Sequence, residues 1–438
     1  MRKFLPLLIL IFLIFCSTGT AYGAISPLGL QGRSACQIVD PTISMESFKA
    51  IVDVQNDISH VTTTSVIKNN SDEEKSVLMG YGDGLIGKDD TARISNFTIS
   101  VDNIRYKYVL RNGVANPDNS QLPSFTRWFA WDLRLQPGEA KVVKNSFTLK
   151  NKLFYKGNYS VELFLQSLVA WQQPIKQVEI VYDFGEYRPY IFDPSPQPQP
   201  TTITEGGQLI WRYTDYTPTT DSNFTTFFFP MDIATTNLAK GKGDKQLSAI
   251  ANDYLNTKYS AVITKANEYL MSEESQYKKE AMYFMARAAH SLMDLDTALE
   301  LYDKIVDNPG FSDDIAPVLT QQLIYEKISI LKYQQNMERV RETIEQTRAM
   351  EPNYLSYPIQ AWLEKESSLL PKPQPQPEQT TEEQPKQDDT TTNIKEGLEI
   401  LGYDVPIELI IIVILLILFI ILRTIFKRKR KRRKSLFY

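Results

Sequence analysis

Residues 48–54 read FKAIVDV and residues 61–67 read VTTTSVI, with the turn-forming sequence NNSD close behind at 69–72. Both runs are short, rich in Val, Thr and Ile, and bounded by residues that favour turns, which is typical of strands in an antiparallel domain. The same pattern recurs in the runs 94–101, 106–110, 128–135, 140–149 and 159–165. The sequence therefore predicts an antiparallel β-sandwich over residues 40–235, preceded by an N-terminal segment at 24–39.

One strand and its turn carry a resemblance to a known class of domain. Trp131, Leu133 and Leu135 alternate with charged residues and so share one face of a strand. The sequence PGE at 137–139 then turns the chain into a further strand that contains residues 142–143. This strand, Pro-Gly turn and strand resembles extracellular immunoglobulin-like domains, and the resemblance implies a sandwich of that kind.

A proline-rich stretch interrupts the predicted strands. Residues 194–200 read PSPQPQP, which is either a linker between two sandwiches or an exposed loop of one sandwich. Only about 35 residues of strand-like sequence follow it, too few for a second sandwich, so the loop is preferred.

The pattern becomes helical over residues 244–370. Three helix pairs align there, with Val262, Ala298 and Val340 at equivalent positions and intervals of 36 and 42 residues. The middle pair, with the small residues Ala286 and Ala298, resembles a tetratricopeptide repeat, whose period is about 34 residues. The resemblance implies a multidomain α+β protein with an α-helical tetratricopeptide-like repeat domain after the sandwich. A plain helical bundle is the alternative.

Four residues of the middle pair are candidates for a binding surface. The repeat resemblance implies that Glu280, Tyr283, Arg287 and His290 line a concave groove of the kind that binds peptides. Their spacing of three or four residues places them on one face of a helix. The alternative is an ordinary solvated face with one aromatic residue at its edge.

The N-terminus reads as a secretory signal peptide over residues 1–23. Two basic residues precede a short apolar run, and small residues at the cleavage position predict a cut between Gly23 and Ala24. Cys16 raises the alternative of a lipoprotein, but the bulky Phe15 directly before it disfavours that processing.

The C-terminal end reads as a membrane anchor. Residues 371–393 are rich in Pro, Gln, Thr and acidic residues and predict a disordered linker. The apolar run 407–426 has twenty residues, which span about 30 Å as a helix and predict one transmembrane helix. Eight consecutive basic residues at 427–434 place the tail 427–438 in the cytoplasm and the N-terminus outside. The tail acts first as a stop-transfer anchor, with binding to anionic lipid as a second role.

This order of segments resembles the sortase-anchored wall proteins of Gram-positive bacteria. Residues 401–406 read LGYDVP, without the Leu-Pro-x-Thr-Gly motif of those proteins, so we expect the chain to keep its membrane helix. The resemblance and the Pro-Gln spacers suggest a bacterial surface protein in the cell membrane with a single span.

The charge distribution excludes nucleic acid as a partner of the predicted outer part. The chain has 48 basic and 52 acidic residues, a net charge of −4. Residues 24–406 hold 37 basic and 51 acidic residues, a net charge of −14, so the basic excess belongs to the two ends. A nucleic-acid-binding domain needs a basic face.

Few residues are candidates for catalysis or metal binding. The chain has two Cys and two His, which excludes a disulfide scaffold and a Cys/His zinc site. Cys36 is interpreted as a small buried residue. Asp83, Asp89 and Asp90 offer a calcium site as an alternative, although their spacing is not that of an EF-hand. The sequence predicts no catalytic residue, no cofactor and no metal.

These observations favour a non-enzymatic surface protein. We expect its outer part to bind a protein or an envelope polymer, or to scaffold a membrane complex. The alternative is an envelope hydrolase that uses Asp and Glu carboxylates, for which no local motif nominates a pair. A signal transducer is a third possibility, and its short tail would require a partner for output.

Overall fold

The computed structural model describes residues 22–86, 94–153, 157–185, 188–204, 206–240, 242–306, 316–350, 355–371, 397–400 and 403–406. Within this part of the chain, sixteen strands lie between Tyr22 and Phe228, and eight α-helices follow between Met231 and Leu369. The strands and the helices each bury their own hydrophobic core. The predicted α+β composition, β-rich at the N-terminus and helical toward the C-terminus, is confirmed.

The strands start earlier than residue 40, because the predicted N-terminal segment 24–39 itself forms two of them. The sixteen strands are β1 (Tyr22–Gln31), β2 (Ser34–Gln37), β3 (Ile43–Val54), β4 (Ile58–Asn69), β5 (Lys75–Leu85), β6 (Ser95–Val101), β7 (Ile104–Tyr106), β8 (Val109–Asn112), β9 (Phe125–Leu135), β10 (Ala140–Lys150), β11 (Lys152–Leu153), β12 (Tyr159–Phe164), β13 (Ile175–Asp183), β14 (Thr202–Ile203), β15 (Gln208–Tyr216) and β16 (Asn223–Phe228).

These strands form three sheets, in the orders β2-β1-β5-β9-β8, β14-β15-β13-β3-β4-β10-β6-β7 and β11-β12-β16. Every pairing between these described strands is antiparallel except that of β3 with β13, which is parallel and sets Val178 opposite Phe48. The prediction of a purely antiparallel sandwich is therefore wrong at this pair. The direction of a strand depends on the long connection that leads to it, and the alternation within a strand holds no information about that connection.

The stretch 48–54 forms part of the half-buried strand β3. Buried and exposed residues alternate along β3 from Phe48 to Val54, and β4 alternates in the same way beside it. Successive side chains of a strand point to opposite faces, so one face of both strands reaches the core and the other meets solvent.

The five-stranded and eight-stranded sheets pack face to face through aromatic rings. The ring centroids of Tyr81 in β5 and Phe147 in β10 lie 5.0 Å apart, and Phe97 in β6 stacks on Phe129 in β9 at 4.3 Å. The resemblance to immunoglobulin-like domains is wrong. Such domains have seven to nine antiparallel strands in two sheets, whereas this core joins sheets of five and eight strands that include a parallel pair.

The helices are α1 (Met231–Lys240), α2 (Lys245–Leu255), α3 (Tyr259–Met271), α4 (Lys278–Ser291), α5 (Leu295–Val306), α6 (Ala316–Tyr333), α7 (Met337–Arg348) and α8 (Tyr357–Leu369). Side chains cap several of them at the N-terminus, including α2 and α7. Asp244 accepts from the N–H groups of Gln246 and Leu247 at the start of α2, and Asn336 accepts from Arg339 at the start of α7. Such caps satisfy backbone donors that have no partner inside the helix.

Residues 188–195 of the β region, which we call the docking segment, contact the helical region. The ring of Tyr190 lies 5.2 Å from that of Tyr325 in α6. Gln321 in the same helix donates to the Phe192 carbonyl at 3.4 Å, and Ser195 Oγ accepts from the N–H of Tyr357 at 2.8 Å. The two regions therefore belong to one compact unit.

The chain ends were predicted as targeting and anchoring segments, and most of their residues lie outside the described ones. This holds for residues 1–21 of the signal peptide, for the linker from residue 372, and for the apolar run 407–426 with its tail. Strands β17 (Gly397–Ile400) and β18 (Tyr403–Pro406) form an antiparallel hairpin between linker and run. Among the described helices, none is long and apolar enough to cross a membrane.

Candidate functional site

One open pocket lies at the end of strands β15 and β16, beside the Pro-Gln stretch 194–200. Its volume is about 440 Å³, within the range of ligand sites in proteins. We call it the tyrosine pocket. Its lining is aromatic, amide-bearing and hydroxyl-bearing, and consists of Gln197, Pro198, Tyr213, Tyr216, Thr219, Asp221, Ser222, Asn223, Phe224 and Thr225.

Two tyrosines form the aromatic wall. The ring centroids of Tyr213 and Tyr216 lie 5.1 Å apart at an interplanar angle of 39°, and Tyr213 also lies 6.2 Å from Phe224. Both tyrosines are half-buried, and burial raises the pKa of each phenol above its ordinary value. Both hydroxyls therefore remain protonated donors near neutral pH, on rings that offer an apolar face.

Hydrogen bonds fix the rim of this pocket. Tyr216 Oη donates to Ser222 Oγ at 2.8 Å, and Ser222 Oγ also accepts from the Thr219 N–H at 2.8 Å. The backbones of Gln197 and Thr225 bond each other in both directions, at 2.8 and 2.7 Å. The loop that was preferred for residues 194–200 is thus held against β16. The rings are therefore presented in a fixed arrangement.

The lining residues also define which ligands suit the pocket. Among the described residues that line it, Asp221 is the one carboxylate, and none is Lys, Arg or His. Without a cation the pocket has nothing to neutralise an anionic ligand. Gln197, Asn223 and the phenols instead offer donors and acceptors to a neutral, hydroxyl-bearing molecule.

The four predicted groove residues lie together on α4, but their face is covered. Glu280 is 2% exposed and lies 3.6 Å from Lys242 Nζ. Tyr283 is fully buried and donates to Gln322 Oε1 in α6 at 2.7 Å. These two side chains contact other parts of the same chain rather than an open groove.

The other two groove residues belong to a polar network around Glu326 in α6. Arg287 forms an ion pair with Glu326, and its Nε also donates to Tyr254 Oη at 3.2 Å. His290 Nδ1 lies 3.4 Å from Glu326 Oε2, and Tyr302 Oη donates to the same oxygen at 2.8 Å. Gln322 donates to Oε1 of Glu326 at 3.1 Å. We call these six residues the Glu326 cluster.

The predicted cleavage site lies at the start of β1. Gly23 is part of that strand, and Ala24 is fully buried, with its N–H donating to Ser167 Oγ. Ser167 Oγ in turn donates to the Ala24 carbonyl at 2.8 Å. The signal cleavage between these two residues stays a prediction.

Two of the remaining candidates for chemistry, Cys36 and Asp83, are buried in this fold. Cys36 is buried, and burial raises the pKa of its thiol, which disfavours the reactive thiolate. Asp83 is fully buried, and its Oδ2 accepts from Arg127 Nε at 2.7 Å. Asp89 and Asp90 lie outside the described residues. Among the residues that are described, no three His, Cys, Asp or Glu side chains gather as metal ligands do.

The tyrosine pocket was not predicted from the sequence. Neither Tyr213 nor Tyr216 was among the candidate site residues. The run YTDY at 213–216 places two tyrosines close to each other at the end of β15, and this spacing is the feature of the sequence that could have indicated the pocket. The pairing of Gln197 with Thr225 and the hydrogen bond from Trp211 Nε1 to the Pro198 carbonyl bring this run and the PSPQPQP stretch together.

Comparisons with known proteins give little guidance. No protein-family model matches the chain, and no curated protein matches it. Among solved structures, a proposed nutrient binding protein from Legionella pneumophila has a TM-score of 0.44 and 14% identity, covering 71% of this chain and 98% of that one. A similarity this distant carries no argument about this chain.

The resemblance to tetratricopeptide repeats is wrong. No repeat family matches the chain, and its described part contains three β-sheets of sixteen strands in all beside the helices. Such repeats need a constant period so that successive pairs stack alike. The helices α3, α5 and α7 begin at Tyr259, Leu295 and Met337, which leaves unequal intervals of 36 and 42 residues. The small residues Ala286 and Ala298 are buried, as close packing of any two helices requires.

Proposed function

We propose that this protein is a non-enzymatic binding protein, and that the tyrosine pocket takes a neutral, hydroxylated segment of an envelope polymer such as a glycan. The observation that supports this proposal most is the half-buried pair Tyr213 and Tyr216. The pair lies beside amide and hydroxyl side chains in an open pocket of about 440 Å³. Sugar rings have apolar faces of C–H groups that pack on aromatic rings, and hydroxyl groups at their edges that bond amides and phenols.

The alternative of an envelope hydrolase receives less support from this pocket. Glycoside hydrolysis ordinarily needs two carboxyl groups, one on each side of the scissile bond. Asp221 is the single carboxylate in the lining. The pocket therefore favours retention of a glycan over its cleavage.

The proposal includes a location outside the cytoplasm. It is supported by the apolar run 407–426 followed by the basic residues 427–434, which predict a membrane anchor with the folded part outside. Protease treatment of intact cells tests it: we expect the folded part to be cleaved while the tail stays protected. A folded part that survives until the cells are lysed would contradict this location.

Binding is tested by titration calorimetry of the full chain with neutral oligosaccharides of hexose and N-acetylhexosamine units. We expect at least one of them to bind, and we expect Tyr213→Ala to weaken that binding about tenfold. Tyr333→Ala is the matched control, because Tyr333 is 72% exposed in the helical region. The absence of heat with every oligosaccharide, or equal affinity in both variants, would contradict the glycan site. Release of shortened oligosaccharides would favour the hydrolase instead.

A further inference from the structure

Residues 104–112, which we call the edge segment, contain two outer strands and the short connection between them. Strand β7 lies at the end of the eight-stranded sheet, and β8 lies at the end of the five-stranded sheet. The apolar side chains of the edge segment are unusually exposed: 67% for Ile104, 60% for Val109 and 54% for Leu110. Several large apolar side chains exposed within one nine-residue segment mark an interaction surface more often than a plain protein surface.

The edge segment is held in one conformation. Asp102 and Asn103, both with positive φ, make the tight turn that leads into β7. Tyr108 packs its ring against the core rings of Phe97 and Phe129, with centroids 5.3 Å from each. Beyond Tyr108, β8 pairs with β9. The exposed apolar side chains are thus presented on a fixed backbone.

Basic residues alternate with these apolar residues. Arg105, Lys107 and Arg111 all lie within the edge segment, and the segment contains no acidic residue. None of the three is in an ion pair with a carboxylate of the described residues. This local positive charge stands out, because residues 24–406 carry a net charge of −14.

We propose that the edge segment is a docking site for an anionic lipid bilayer. Ile104, Val109 and Leu110 would enter the boundary between headgroups and acyl chains, where exposed apolar side chains are favourable. Tyr108 would lie at headgroup level, the depth that amphipathic rings prefer. The three cations would meet the lipid phosphates.

The charge pattern of the edge segment favours a bilayer over a protein partner. Its cations are interleaved with the apolar residues, which is how surface-bound membrane segments meet anionic headgroups and acyl chains together.

The charges set the size of the expected effect. Each Lys or Arg near an anionic membrane surface strengthens the binding of the protein to that surface. We expect the removal of all three to lower the partition of the protein into anionic vesicles about 100-fold. Because salt screens such charges, the partition also falls as the ionic strength rises.

The test measures the depth of one position in the full chain reconstituted into vesicles. A fluorophore is attached at Leu110→Cys, with Cys16→Ser and Cys36→Ser removing the native thiols, and its quenching by nitroxide-labelled lipid is recorded. Vesicles of phosphatidylglycerol and phosphatidylcholine in equal parts are compared with phosphatidylcholine alone. The matched position is Met271→Cys, because Met271 is 84% exposed at the end of α3.

We expect quenching at position 110 in anionic vesicles only, no quenching at position 271, and loss of the signal when Arg105→Gln, Lys107→Gln and Arg111→Gln are combined. An unquenched label at position 110 in anionic vesicles would overturn the proposal, as would equal quenching in both vesicle types. So would energy transfer between labels of two copies without lipid, which would assign the surface to self-association. A thermal melt of each variant establishes that it is folded. In every preparation, the label at Met271→Cys serves as the unquenched reference for the label at position 110.

Discussion

Two sets of buried polar side chains, one in each region, differ in their hydrogen bonding. In the helical region, the buried Glu326 accepts from several side chains and pairs with Arg287. In the β region, Thr63, Ser65 and Asn145 are fully buried between the sheets, and their side chains have no hydrogen-bond partner among the described residues.

This difference determines how substitutions at the two sets of side chains should change the free energy of unfolding. A buried polar group without a partner costs free energy, so the β region tolerates such groups only because its large aromatic core offsets them. A buried charge with several partners is different, since its removal leaves the opposite charge buried and unpaired. The Glu326 cluster should therefore be sensitive to single substitutions, whereas replacing one of the three unpaired side chains of the β region with an apolar one of similar size should raise stability.

The largest predicted effect is that of Glu326→Ala. This substitution leaves Arg287, whose side chain is 23% exposed, without its carboxylate partner. We expect the free energy of unfolding to fall by about 3–5 kcal/mol, measured by urea denaturation. Glu300→Ala is the matched control, because Glu300 is 67% exposed and pairs with Lys304 one turn along the helix. The control should lose at most about 0.5 kcal/mol. Similar losses in both variants would remove the contrast between cluster and surface.

The second effect concerns the contact that joins the two regions. Tyr190 in the docking segment is 8% exposed and packs on Tyr325. We expect Tyr190→Ala to lower the free energy of unfolding by about 2–4 kcal/mol, because it removes a buried aromatic ring. We also expect the two regions to unfold in separate transitions, visible by calorimetry, where the unaltered protein shows one. Tyr333→Ala, at an exposed ring of the same helix as Tyr325, should change neither property. A single transition in Tyr190→Ala would show that other contacts couple the regions.

The third effect has the opposite sign. Thr63→Val replaces a fully buried hydroxyl that has no partner with a methyl group of similar size. We expect the free energy of unfolding to rise by about 1 kcal/mol. The matched control is Thr347→Val, since Thr347 is equally buried in α7 but donates to the Thr343 carbonyl at 2.6 Å. The control should be neutral or destabilising. A loss of stability in Thr63→Val would mean that its hydroxyl is satisfied in solution.

The sequence predicted the local structure of the fold better than its assembly. Residues 48–54 were assigned to a strand because alternation with a period of two depends only on neighbouring residues. The parallel pairing of β3 with β13 sets Phe48 beside Val178, 130 residues away. No local pattern specifies such a pairing, so the sandwich was predicted as purely antiparallel.

The candidate sites show the same limit. The spacing of Arg287 and His290 placed both on one helical face, and both contact Glu326. Nothing near these two residues indicates that an acidic residue of α6 covers the face, so it was interpreted as an open groove. The tyrosine pocket likewise depends on the pairing of Gln197 with Thr225, two residues from segments that are separate in the sequence.

The smallest predicted effect is a pH dependence that belongs to His290. Burial and, after it, the charge of Arg287 lower the pKa of this imidazole below its ordinary value. As the pH falls below about 6.5, the unfolded chain therefore binds the proton more readily than the folded protein does. The stability associated with His290 is thus fully present above that pH and is lost as the pH falls through the lowered pKa of the folded state.

We expect His290→Gln to reduce the loss of unfolding free energy between about pH 7.5 and about pH 5.5, measured by urea denaturation at each pH. His60→Gln is the matched control. His60 is exposed on β4, and its Nδ1 lies 3.4 Å from Thr148 Oγ1. An unchanged pH dependence in His290→Gln would assign the acid sensitivity to other groups. The expected result would sharpen the contrast between the regions. The Glu326 cluster contains an imidazole whose pKa is lower in the folded protein than in the unfolded chain, whereas the hydroxyls of Thr63 and Ser65 do not ionise near neutral pH.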